Sequence, residues 1–182
     1  MCSADEEQSR RHELLQALPA AAMKAYVPGT IWARIHAGDP HWIIHHSEEK
    51  PLTLLVIRMW APQKAPLMVQ ASAYTACISI VQRALYRCYG TFKHMVQDDD
   101  GGCTVSACLG MAPFEHSEVI CSRGALVAAL EVRNELRQLG VSSVAAIKTG
   151  MAWSGAVGSD NRREYAVVGG PVQLATQMIG FT

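Results

Sequence analysis

The chain has 182 residues, its 16 Lys and Arg balance its 16 Asp and Glu, and 49% of its residues are hydrophobic. This composition is typical of one compact folded domain and excludes a disordered polyelectrolyte. Neutral charge without a Lys/Arg cluster argues against nucleic acid as a partner, and short uncharged runs argue against a membrane span. The first ten residues are acidic and polar, unlike a signal peptide, so we expect a cytoplasmic protein.

The first fifty residues predict two helical segments ahead of the folded domain. Three leucines recur at helical spacing before Pro19, which indicates an N-terminal helical arm within 1–25. Residues 26–50 are expected to form a linker helix and an approach segment. The nearly uninterrupted apolar run LTLLVIRMW at 52–60 then predicts a central strand covered on both faces, so the domain itself is expected to occupy 51–182.

The remaining pattern predicts an α+β domain. Two long helices, a hairpin, two further strands and a final helix are expected at 67–89, 117–139, 92–97 with 104–109, 143–153, 165–168 and from Gly169 onward. This order is typical of a ferredoxin-like, split βαβ fold whose central antiparallel sheet carries its helices on one face. The final helix has no stop signal before Thr182, so we expect the C-terminal part of the domain to be missing or truncated.

The cysteines and histidines do not complete a metal site. None of the six cysteines forms a CxxC pair, so buried free thiols are expected, with Cys103 and Cys108 on opposite faces of one strand. Four of the histidines fall within 36–46, and His41 and His45 could share one helical face. Because no cysteine or repeated carboxylate completes the ligand set, the role of this cluster stays open.

A motif near the C-terminus carries a family resemblance. Residues 149–178 read TGMAWSGAVGSDNRREYAVVGGPVQLATQM, which contains G-x-V-G-x-x-x-R-x-E-Y-x-V-x-G followed by V-x-L-A-x-x-M. This stretch resembles class III nucleotidyl cyclases, most of all the second catalytic half of the soluble, bicarbonate-responsive adenylyl cyclase. The resemblance extends upstream to about Tyr26. The residues that match the structural part of the motif are Gly155, Gly158, Arg162, Glu164, Tyr165 and Gly169.

The resemblance implies a mechanism whose chemical groups can be sought in this sequence. Class III cyclases work as dimers, with ATP at the interface and two divalent metals that promote attack of the 3′-hydroxyl on the α-phosphate. Two carboxylates hold the metals, because Mg²⁺ takes hard oxygen ligands. A Lys with a Thr or Asp reads adenine, an Asn orients the ribose, and an Arg meets the charge that develops on the phosphate.

Most of these groups are replaced here. The first-strand metal carboxylate falls at Arg58, or at Ile57 if the register slips by one, and neither side chain can bind a cation. The adenine-reading Lys falls at His94, with Lys93 as the near-register substitute. The remaining degenerate positions are Ala166 for the adenine-reading Thr, Gln173 for the Asn and Gln177 for the Arg. Asp99 and Asp100 lie in the predicted hairpin turn and are the candidate carboxylates near the second metal position.

The leading interpretation is therefore a catalytically inactive cyclase-like domain without a cofactor, which acts as a structural or regulatory half beside another cyclase-like half or in a larger assembly. A rival hypothesis is one half of a working heterodimeric adenylyl cyclase, in which the partner supplies both metal carboxylates and this chain meets ATP and Mg²⁺. A third hypothesis is a nucleotide or small-anion sensor without turnover. A location in cilia or flagella is an expectation by resemblance alone.

Overall fold

A computed structural model describes residues 31–32, 37–38, 47–60, 66–111, 114–159 and 163–180. The helices and strands in the longer ranges are β1 (Ser47–Trp60), α1 (Leu67–Arg87), β2 (Thr91–Gln97), β3 (Cys103–Leu109), α2 (Glu118–Gln138), β4 (Ser142–Gly158), β5 (Arg163–Val168) and α3 (Gly170–Gly180). The predicted N-terminal arm, most of the linker helix and the histidine cluster lie outside the described residues. Within them, no helix is long and apolar enough to cross a membrane.

The strands form a five-stranded sheet in the order β2-β3-β1-β4-β5. Every neighbouring pair is antiparallel, which confirms the predicted α+β class with an antiparallel central sheet. The apolar run predicted as the central strand lies in β1, which pairs with β3 on one side and with β4 on the other. The two edge strands are β2 and β5, and both become important for the candidate site.

Both faces of the sheet are covered, because side chains alternate along β1 and its apolar run continues on both sides. Leu55, Ile57 and Met59 pack under α1 and α2. The two long helices thus share one face, as expected. The shorter helix α3 differs from the expectation: through Ala175 and Ile179 it packs on the opposite face, against residues that include Leu54 and Val56. A strand that is apolar on both sides requires this second cover.

The cysteines behave as core residues. Cys103 belongs to the core under α1 and α2, whereas Cys108 belongs to the core under α3, so the predicted opposite orientation is confirmed. All five cysteines in the described ranges are free thiols. Burial raises the pKa of Cys103 to about 11 and that of Cys108 to about 12, which keeps both thiols protonated and chemically quiet at neutral pH.

Candidate functional site

The turn between β2 and β3 is held by its own backbone and by α1. The Gly101 N–H donates to the Asp98 carbonyl at 2.9 Å, and the Asp98 N–H donates to the Gly102 carbonyl at 2.8 Å. Gly101 adopts a φ of 76°, a left-handed conformation that glycine takes without strain. From α1, the Tyr74 hydroxyl donates to the Gly101 carbonyl at 2.8 Å. These bonds present the aspartates of the turn to the end of β1.

Arg58 on β1 meets that turn directly. Its Nε lies 3.1 Å from Oδ2 of Asp98, and its Nη2 lies 2.9 Å from Oδ2 of Asp100. The guanidinium carbon also lies 5.2 Å from the centre of the Trp60 ring, within cation–π range. Only 19% of the Arg58 side chain is exposed. The guanidinium therefore sits between two carboxylates from different positions of the turn.

The same carboxylates accept further hydrogen bonds from the protein. Asp100 accepts the Gly102 N–H at 3.0 Å and the Trp60 indole N–H at 3.3 Å, and Asp98 accepts the Thr104 hydroxyl at 2.7 Å. The pKa of Asp100 is lowered by the Gly102 N–H, by the Trp60 indole and by Arg58. We call Arg58, Trp60, Asp98, Asp100 and Thr104 the hairpin cluster. Asp99 is exposed within the turn.

The hairpin cluster does not fit a divalent cation. Such a cation needs carboxylate oxygens that are free to coordinate, and here they already accept from a guanidinium, an indole, a hydroxyl and a backbone amide. Ile57, the alternative register position, is buried in the core under α1 and α2. Among the described residues, no group of three or more His, Cys, Asp or Glu side chains is placed to hold a metal.

A cavity of about 570 Å³ lies on the α3 face of the sheet, between the two edge strands. Phe92–His94 of β2 and residues 163–167 of β5 contribute most of its lining, with Leu54 below and Val172 of α3 beside it. Both candidates for the adenine-reading position, Lys93 and His94, therefore line one cavity. The adenine-reading Thr position does so too, as Ala166, whose methyl group offers no hydrogen bond.

Lys93 enters this cavity because β2 is irregular at that point. Phe92 pairs with Ala107 and His94 pairs with Ser106, so Lys93 is the extra residue of a β-bulge. Its ammonium donates to the backbone carbonyl of Tyr165 on β5 and lies 5.4 Å from the centre of the Tyr165 ring. One side chain thus joins the two edges of the sheet. Burial lowers the pKa of Lys93.

The two glutamines of the motif lie on α3. Gln173 and Gln177 are both exposed and are four residues apart, so they share one helical face. Their amides are neutral. Neither can supply the positive charge that the resemblance expects at Gln177.

The motif glycines have packing reasons. A Cβ on Gly155 would lie 2.6 Å from the Trp153 ring and 2.9 Å from Cβ of Ser47, distances that real side chains do not adopt. Gly169 has a φ of 153°, and a Cβ there would lie 3.1 Å from Cα of Ala152. The stretch that contains Gly155 and Gly158 belongs to β4 and pairs with β5, rather than forming a separate turn.

The other motif residues are placed as follows. Glu164 and Tyr165 lie on β5 and line the cavity. Arg162 lies outside the described residues, so its structural role in the motif stays a prediction. The contributions of Trp60 and Thr104 to the hairpin cluster were missed from the sequence. Only the strand register, in which Arg58 lies opposite Thr104, brings them together.

Comparisons with known proteins agree with this architecture. No protein-family model matches the sequence, and no curated protein matches it. A solved bacterial light-regulated adenylyl cyclase superimposes with a TM-score of 0.75 at 16% identity, over 100% of this chain and 54% of that chain. The chain has the fold of a nucleotide cyclase domain. It spans only about half of the light-regulated enzyme's chain.

Two further structures share the cyclase fold. The adenylyl cyclase CyaB from P. aeruginosa has a TM-score of 0.66 at 18% identity, over 75% of this chain and 74% of that one. The guanylate cyclase domain of RhGC from Catenaria anguillulae, solved in complex with GTP, has a TM-score of 0.58 at 13% identity, over 73% and 74%. These identities establish the fold, while activity has to be argued from the site.

Proposed function

We propose that this chain is a catalytically inactive class III cyclase-like domain, which acts as a structural or regulatory half in a dimer or a larger assembly. The observation that carries the proposal is the joint replacement of four site positions, namely Arg58, Ala166, Gln173 and Gln177. Arg58 stands where the resemblance places a metal-binding carboxylate, and its guanidinium is hydrogen-bonded to Asp100 and within ion-pair distance of Asp98. Two-metal catalysis needs carboxylates that hold cations beside the triphosphate, and the hairpin cluster offers none for that purpose.

The substitutions around the cavity support the same proposal. Ala166 cannot read an adenine edge, and Gln177 cannot stabilise charge on a phosphate. Removing one transition-state donor of this kind typically lowers kcat by about 10²–10³-fold. Loss of the metal ligand, the base-reading hydroxyl and the cation together leaves no useful turnover. What remains intact is the packing of the fold, including Gly155 and Gly169.

The direct test is a cyclase assay on the purified chain. With ATP or GTP and either Mg²⁺ or Mn²⁺, we expect no cyclic nucleotide above the background of a protein-free reaction. An active class III cyclase domain assayed in parallel shows that the conditions support turnover. Robust synthesis of cyclic AMP or cyclic GMP by the isolated chain would overturn the proposal.

The rival proposal is a working heterodimer, in which a partner half supplies both metal carboxylates. It gains support from Lys93 and His94, which line the cavity where a base would bind. The chain would be co-expressed with a metal-bearing cyclase half, and its activity compared with that of Gln177→Arg. Activity of the unsubstituted pair, increased by Gln177→Arg, would favour the heterodimer over the inactive domain.

A non-catalytic nucleotide sensor is the third candidate, and the cavity itself favours it. Its volume is about 570 Å³, and it contains an ammonium group at Lys93. Equilibrium titration with labelled ATP would show saturable binding that Lys93→Met weakens. A purely structural half shows no saturable binding with either protein.

The proposed cytoplasmic setting rests on the composition and the N-terminal residues, and the location in cilia or flagella rests on the resemblance alone. We place the protein in the cytoplasm, with cilia or flagella as the specialised location, and we expect neither nucleic acid nor membrane as its partner. Imaging of the tagged chain at native expression tests the location, and a membrane-bound pool would contradict it.

A further inference from the structure

We propose that the Arg58 guanidinium is a built-in substitute for a divalent cation, so that the β2–β3 turn keeps its conformation without metal. This inference rests on the proposed function and extends it to the regulation of the same site. A cyclase-like half that depends on metal for the order of this turn would respond to Mg²⁺. The half described here would be ordered at all times.

The guanidinium of Arg58 lies between the two aspartates of the turn. Nη2 donates a hydrogen bond to Asp100 at 2.9 Å, and Nε lies 3.1 Å from Oδ2 of Asp98, an ion-pair distance without a hydrogen bond. One positive group thus bridges two carboxylates, as a shared metal ion does. Arginine keeps this charge at every physiological pH, so the bridge does not depend on any ligand concentration.

The backbone of the turn at Gly102 lies close to the side chains of the cluster. A Cβ on Gly102 would lie 3.0 Å from Oδ1 of Asp100, 3.1 Å from the Trp60 indole nitrogen and 3.3 Å from Nε of Arg58. The groups of the cluster therefore pack against the backbone itself. Mg²⁺ requires octahedral geometry around oxygen ligands, whereas here the guanidinium and the Trp60 indole N–H both point at Oδ2 of Asp100.

The turn is held on one side by β1 and on the other side by α1. Arg58 belongs to the central strand, which has partners along both edges. On the helix side, the Tyr74 hydroxyl of α1 donates to the Gly101 carbonyl. The turn is thus tied to the central strand and to α1, and Arg58 acts as a positioning residue for it.

The experiment is thermal unfolding of the full chain with EDTA or with Mn²⁺, combined with Mn²⁺ titration by electron paramagnetic resonance. For the unsubstituted chain, we expect the same unfolding midpoint in both buffers and no saturable Mn²⁺ binding. Arg58→Asp replaces the guanidinium by a third carboxylate. We expect a midpoint several degrees lower in EDTA, substantial recovery in Mn²⁺, and saturable binding of the ion.

The matched controls locate the effect. In the double variant Arg58→Asp/Asp100→Asn, both the Mn²⁺ binding and the recovery should be lost. Arg83→Met breaks the ion pair with Glu135 between α1 and α2 and should gain no response to Mn²⁺. If Arg58→Asp does not fold, Arg58→Met with the same titration takes its place, since it leaves Asp98 and Asp100 without their internal cation.

Two results would overturn the inference. One is saturable Mn²⁺ binding by the unsubstituted chain that Asp100→Asn removes. The other is a variant at position 58 that folds but shows no response to Mn²⁺, because the guanidinium would then not stand in a cation's place. Neither result measures cyclic nucleotide, so failure here is distinguishable from failure of the proposed function.

Discussion

The hairpin cluster and the cavity each contain a basic side chain, and they differ in the groups that surround it. At the hairpin cluster, the charge of Arg58 is matched by two carboxylates within 3.1 Å. In the cavity, the ammonium of Lys93 contacts a backbone carbonyl and an aromatic ring instead. Burial lowers the pKa of Lys93, whereas at the other region the pKa of Asp100 is lowered by the donors around it.

The two regions therefore differ in what they offer to a further ion or ligand. In the hairpin cluster, both aspartates have protein partners, although one guanidinium faces two carboxylates. The cavity holds the ammonium of Lys93 beside about 570 Å³ of space, and burial lowers the pKa of Lys93 by more than nearby charges such as Glu164 raise it. The aspartates of the hairpin cluster are thus engaged by donors of the chain itself, while the ammonium of Lys93 borders open space.

The largest loss of stability is expected when the hairpin cluster loses its guanidinium. Arg58→Met removes the guanidinium but keeps an apolar stem against Trp60, and should lower the free energy of unfolding by about 1–3 kcal/mol, because two carboxylates lose their counter-ion. Denaturant unfolding gives this value. Arg83→Met, which breaks a more exposed pair, should lower it by less than about 1 kcal/mol. Equal losses in the two variants would contradict the comparison.

A comparable loss is expected from Gly155→Ala, where β4 pairs with the start of β1. The new methyl group meets the Trp153 ring and Cβ of Ser47, and overpacking of this kind costs about 1–3 kcal/mol. Gly170→Ala is the matched control, because nothing lies within 4 Å of a Cβ there. Unfolding in urea compares the two variants. A Gly155→Ala protein as stable as Gly170→Ala would show that the motif glycine has no packing role.

Lys93 should produce a pH-dependent effect. Its pKa in the folded chain is lowered from 10.5, so the unfolded chain binds more protons between the two values and the stability contributed by Lys93 rises with pH there. We therefore expect the unsubstituted chain to gain stability relative to Lys93→Met as the pH rises toward 10.5. The free energy of unfolding of both proteins, measured from pH 7 to 10.5, tests this. A constant difference would mean that the ammonium is not desolvated.

The smallest effect is expected from Asp100→Asn at acidic pH. The folded-state pKa of Asp100 is lowered from 3.8, so its contribution is present above that value and is lost as the pH falls through the folded-state pKa. The unsubstituted chain should therefore lose stability below about pH 4 more steeply than Asp100→Asn. Acid titration followed by far-UV circular dichroism measures both slopes. Identical slopes would mean that the charge of Asp100 does not stabilise the hairpin cluster.

Much of the fold followed from local patterns. The apolar run of β1, the two long helices and the hairpin were all predicted from periodicity and turn residues, because each depends on a short stretch of sequence. The side of the sheet that α3 covers was not predicted. A helix at the end of the chain can reach either face, and only the apolar second side of β1, through Leu54 and Val56, decides between them.

The candidate site divides in the same way. The sequence by itself determined which chemical groups are present: an arginine and two glutamines where the resemblance expects a carboxylate, an amide and a cation. It could not determine that Arg58 forms ion pairs with Asp98 and Asp100, which are 40 or more positions away in the chain. Nor could it place Lys93 across the sheet from Tyr165. The strand register and a single bulge bring these side chains into contact, and both arise only when the whole sheet forms.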